Sequence, residues 1–118
     1  MFTAATAIAI SGAFAASASA APLTPTEVTI KGQQGDYNGF VKSSDAECAD
    51  GRNVLVYKML GSTPTPNADQ KIGMDTASPD GPKFAWSAGN TGYKHGKFYS
   101  RVKKTSECGG DLSPVIVR

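Results

Sequence analysis

The side chains with the most chemistry to offer in this 118-residue chain are two cysteines, Cys48 and Cys108, and a single histidine, His95. A zinc site would need a four-ligand set. Without a CxxC pair or a second histidine the chain has no recognisable spacing for one. An even cysteine count allows one complete pairing, and in an oxidising compartment Cys48–Cys108 is expected to be a disulfide. A serine or cysteine nucleophile would need a histidine base held by a third group. His95 stands in the glycine-bounded stretch Lys94-His95-Gly96, which reads as a solvated loop, so no enzyme and no cofactor are expected. The acidic run Asp75-Thr76-Ala77-Ser78-Pro79-Asp80-Gly81 puts Ala77 and Pro79 where a calcium loop needs oxygen ligands. Its Asp and Ser residues read as turn formers instead.

Recognition is the chemistry that remains. Tyr37, Tyr57, Trp86, Tyr93 and Tyr99 could build a stacking platform for a sugar or a protein patch. The plainer reading gives Trp86 to the core and the tyrosines to half-exposed strand positions. The sharper expectation is a contact surface at Tyr57 and Tyr99, or at the loop tip Pro64-Thr65-Pro66. Twelve basic and ten acidic residues, a net charge of +2, are dispersed along the chain. The doublet Lys103-Lys104, with Arg101 nearby, reads as a solvated strand face and not as a nucleic-acid stripe.

The elements that must position these residues follow from patterning. Met1 to Ala20 holds no charged side chain and ends in Ala18-Ser19-Ala20, small residues where a signal peptidase cuts, so residues 1–20 are expected to be a secretory signal and the protein extracellular, with no membrane span in its mature form. Residues 21–26, with Pro22 and Pro25, read as an extended leader, and 27–118 as one domain. Within it Glu27 to Lys31 alternates as a strand. In Tyr37 to Ser43, Tyr37, Gly39 and Val41 fall on one side and Phe40 on the other, with Gly39 marking a bulge or a close backbone approach.

Asn53 to Leu60 is the strongest β segment, apolar on both sides, as befits a central strand. The Ser62 to Asp69 loop follows. Ile72 to Trp86 reads as strand, Ser78-Pro79-Asp80-Gly81 turn, strand. Lys97 to Lys103 sends Phe98, Ser100 and Val102 inward and Tyr99, Arg101 and Lys103 to water, and Ser113 to Arg118 closes the chain. Seven short strands without a convincing helix predict an all-β, antiparallel, Greek-key sandwich.

The order VTIKG, a Y-x-G-x-V strand, GRNVLVYK, IGMDTASPDGPKFAWSAG, GKFYSRV and a closing strand resembles the transthyretin-like (prealbumin-like) and carboxypeptidase regulatory-like modules of secreted proteins. Asp75, Asp80, Gly81 and Phe84 fall where that signature has them, with Pro82 an addition to it. The chain is also similar to small secreted proteins of actinobacterial type. The resemblance implies a β-sandwich module. A urate-pathway hydrolase of the transthyretin-related kind would need several histidines and a different C-terminal tetrapeptide from Val-Ile-Val-Arg. The function expected is therefore a secreted, non-enzymatic module contacting a protein or glycan. The alternative is a small inhibitor or effector presenting the Ser62 to Asp69 loop to an enzyme.

Overall fold

A computed structural model of the chain describes residues 22–118. The signal-like segment lies outside them, and so does the first residue of the leader. Ten strands run β1 Thr26–Val28, β2 Lys31–Gln33, β3 Asp36–Ser43, β4 Asn53–Lys58, β5 Gln70–Thr76, β6 Ser78–Asp80, β7 Lys83–Asn90, β8 Lys97–Val102, β9 Asp111–Leu112 and β10 Ile116–Val117. They form two antiparallel sheets: β1-β3-β7-β6 with β2 beside β3, and β10-β8-β4-β5 with β9 beside β8. The chain passes between sheets after β3, β5 and β7. Without the short β2 and β9, this is the ABED against GFCC′ strand order of immunoglobulin-type sandwiches.

There are ten strands where about seven were expected, for local reasons. The first predicted strand, Glu27 to Lys31, breaks at Thr29-Ile30, and the chain pairs again as β2 through Gly32 and Gln33, which were expected to stop it. β9 Asp111–Leu112 is an extra strand ahead of the closing one expected from Ser113, of which Ile116–Val117 forms β10. β6 is the third addition. The stretch expected as one hairpin is split between sheets: β5 pairs with β4, the chain crosses at buried Ala77, and the hairpin is β6/β7. Asp80 pairs with Lys83, so the turn is Gly81-Pro82 and not Ser78-Pro79-Asp80-Gly81. Gly81 at φ 60° followed by Pro82 suits a two-residue turn with a positive φ at its first position. Pro79 sits on the edge strand β6, where its missing N–H costs no ladder bond.

The core between the sheets is built by period-two alternation. Tyr37 and Val41 of β3, Val54 and Val56 of β4, Trp86 of β7, and Phe98 and Val102 of β8 are all buried in one cluster with Val28. Gly39 is the close approach that the sequence suggested. A Cβ there would lie 2.2 Å from the Thr29 carbonyl oxygen. That oxygen accepts from Trp86 Nε1 at 3.1 Å and Ser100 Oγ at 3.2 Å, one donor from each sheet. Phe40 faces outward, with Lys83 Nζ 4.7 Å from its ring centre. Asp75 is no turn former: its carboxylate accepts from the Ser87 amide at 2.7 Å, tying β5 to the opposite sheet.

Candidate functional site

Cys48 and Cys108 are bonded, with Cα atoms 5.4 Å apart, and the bridge joins the connections after β3 and β8. Beside it lies Arg52, 6% exposed, whose guanidinium donates to the Cys48 carbonyl at 2.8 Å, Lys103 at 2.7 Å, Gly109 at 2.9 Å and Thr26 Oγ1 at 3.2 Å. Burial lowers the Arg52 pKa from its ordinary value. No carboxylate is among these acceptors, so the charge is held by oxygen dipoles, and the fork shape of the group fits several diverging carbonyls at once. The leader shares this corner. Thr24 donates to the Glu107 carbonyl and accepts from the Gly109 amide, so the leader is held against the Cys108 turn at that residue.

The two tyrosines singled out from the sequence are neighbours. Tyr57 of β4 and Tyr99 of β8 are paired in register and stack with ring centres 5.3 Å apart. They do not form an open platform, because Tyr57 is 6% exposed and Tyr99 0%. With Met59 they make a second small core on the outer face of the sheet, flanked by Leu55 and Val115. The face of β8 expected to be wet at Tyr99 is therefore covered, and neither ring offers a sugar its flat side.

The loop between β4 and β5 is anchored to this small core. Asp69 accepts from Tyr99 Oη at 2.5 Å, the Leu60 amide at 2.9 Å and the Thr65 amide at 2.7 Å. Burial raises the Asp69 pKa, but those three hydrogen bonds outweigh it and leave the carboxyl below its ordinary value. The Tyr99 phenol is pushed well above its usual value, first by burial and then by the bond to Asp69 and its charge. Thr65 to Asp69 coil into one tight turn, the Ala68 and Asp69 amides both donating to the Thr65 carbonyl. Thr65 is exposed, while Pro64 and Pro66 are half-buried. All three loop-tip residues thus belong to a held structure.

Pro66 forms one wall of a cleft of about 530 Å³. Leu112, Arg101, Lys103 and Lys104 are among its other lining residues, and Asp111 is the one carboxylate on the lining. An Asp111 oxygen is already taken by the Val28 amide at 2.8 Å. Lys103 and Lys104 also line a second cleft of about 220 Å³ next to Arg52. The cations read from sequence as a solvated strand face are thus gathered on one concave surface. Neither Asp69 nor Leu112 was singled out from sequence. The only signal for Asp69 was an acid closing a polar loop just before a strand.

His95 is exposed in the connection between β7 and β8, and the buried hydroxyl of Ser113 accepts from the Ser100 amide at 2.8 Å. Among the described residues no helix is long and apolar enough to cross a membrane. No protein-family model, curated protein or solved structure matches this chain.

Proposed function

We propose that this chain is an exported, non-enzymatic binding module that contacts another extracellular protein through the outer face of the β10-β8-β4-β5 sheet. The observation that carries the reading is the Asp69 clamp. Three hydrogen bonds fix an exposed Pro/Thr loop above a buried tyrosine pair, and the same loop walls the cleft. A loop already ordered before contact loses less conformational entropy on binding. The buried disulfide and the signal-like first twenty residues suit an extracellular setting. The transthyretin-like resemblance of the Asp75 to Phe84 stretch belongs to the same proposal, as that of a non-catalytic secreted module. A glycan contact has less support, since the tyrosine faces are covered. The inhibitor reading also has less, because Thr65 to Asp69 is coiled where an active-site cleft takes extended chain.

The test places a photo-reactive residue at Thr63, exposed on the loop, or at Asp80, exposed on the opposite sheet, and irradiates each protein in the extracellular protein fraction of its source. A saturable adduct is expected at Thr63, competed by excess unlabelled protein and absent at Asp80. Adduct yields that are equal at the two positions, or that survive Asp69→Ala unchanged, overturn the proposal.

A further inference from the structure

The cleft under Pro66 combines two features that select a ligand. Its charge is positive: Arg101, Lys103 and Lys104 line it, and the one lining carboxylate, Asp111, is engaged by the Val28 amide. Its lining also has an apolar part: Pro66 and Leu112 are both on it, Leu112 remaining 38% exposed. The cationic surface continues, since Lys103 and Lys104 also face the adjoining cleft. An occupant with one charge and one contact would use only part of this.

We propose that the paired clefts take an extended, acidic protein segment carrying an apolar side chain, the carboxylates meeting Arg101, Lys103 and Lys104 and the apolar group seated against Pro66 and Leu112. This rests on the reading of the chain as a protein-binding module and names the chemistry of its partner. A strand-like segment suits the site because its side chains alternate, apolar toward the wall and acidic toward the cations. Single-stranded nucleic acid and acidic polysaccharide are poorer fits. Sequence-tolerant binding of single-stranded nucleic acid draws on aromatic stacking, and no aromatic residue lines either cleft, while an acidic polysaccharide has no apolar side chain to set against Pro66 and Leu112. Lys103 and Lys104 are exposed and Arg101 is half-buried, so the lysines act through orientation and encounter rate, and binding weakens with salt.

The probe is a fluorescein-labelled octapeptide of alternating Glu and Leu, titrated with the protein by fluorescence anisotropy at low and high salt. One saturable site is expected, at least tenfold weaker for the Gln-Leu and Glu-Ser octapeptides and for the K103E/K104E protein. Leu112→Ser weakens it about fivefold. K42E/K83E, which reverses the same charge on the opposite sheet, leaves it unchanged, and unshifted melting temperatures show that every variant is folded. No saturation, equal losses in the two charge-reversed proteins, or dextran sulfate binding that matches the peptide and ignores Leu112→Ser each overturn the assignment, the last in favour of a polyanion. If the peptide fails while the Thr63 adduct persists, the acidic-segment assignment falls and the module reading stands. If the peptide binds but no adduct forms at Thr63, the ligand chemistry of the clefts stands and the Asp69-clamped loop falls as part of the contact surface.

Discussion

The Asp69–Tyr99 hydrogen bond should be measurable as a coupling energy. Tyr99→Phe removes one donor at 2.5 Å from a carboxylate, and bonds to charged groups contribute about 1.5–3 kcal/mol. Asp69 is half-buried, so its charge keeps much of its water, and we take the lower end, about 1.5 kcal/mol. Asp69→Ala costs about 2–3 kcal/mol, because the buried Tyr99 hydroxyl loses its acceptor while the exposed Leu60 and Thr65 amides regain water. The double variant should cost little more than Asp69→Ala, giving a coupling of about 1.5 kcal/mol, or about 6–12 °C in Tm for Tyr99→Phe in a domain of this size.

The assay is urea unfolding followed by Trp86 fluorescence for the four proteins of the cycle, repeated across acid pH. The folded Asp69 pKa is depressed, so the clamp is fully present above the unfolded carboxylate value near 4 and is lost as pH falls through the folded value. Tyr99→Phe should flatten that acid limb. A coupling below about 0.5 kcal/mol at neutral pH, where a bond to a charged group was expected to contribute several times that, would sink the reasoning.

Three further perturbations test the frame. Replacing both cysteines opens a bridge between residues 60 apart and should cost about 4 kcal/mol by chain entropy, read as a lower urea midpoint, while the untreated protein shows no alkylatable thiol by intact mass. Gly39→Ala places a Cβ 2.2 Å from the Thr29 oxygen, so it should destabilise by about 2–4 kcal/mol and shift the fluorescence of Trp86, whose indole N–H that oxygen holds. Arg52→Met leaves the Cys48, Lys103 and Gly109 carbonyls without their donor and should cost about 2–4 kcal/mol by urea unfolding, with Arg52→Lys recovering only part because an ammonium lacks the fork.

What was legible in the sequence was local and periodic. Tyr37, Gly39 and Val41 against Phe40, and Phe98, Ser100 and Val102 inward, came from strand alternation and hold in the structure. The Cys48–Cys108 pairing came from there being only two cysteines. The fate of Tyr99 was not legible, because its cover arrives from a loop some thirty residues earlier and depends on a single carboxylate. Asp75 and Asp80 looked alike in one acidic run, yet the crossing at Ala77 sends them to different sheets. The cleft was hidden for the same reason: Pro66, Arg101 and Leu112 are distant in sequence and meet only after the sheet is built.

The Thr29 carbonyl carries a consequence for how this protein comes apart. One oxygen on the first sheet's chain, next to β1, holds Trp86 within that sheet and Ser100 of the second. Parting the sheets therefore breaks the Ser100 bond together with the shared core of Val28, Tyr37, Val54, Trp86 and Phe98. Unfolding should therefore be all-or-none, with tryptophan fluorescence and far-ultraviolet dichroism tracing the same curve. A lag between the two signals would mean that the sheets melt as separate units.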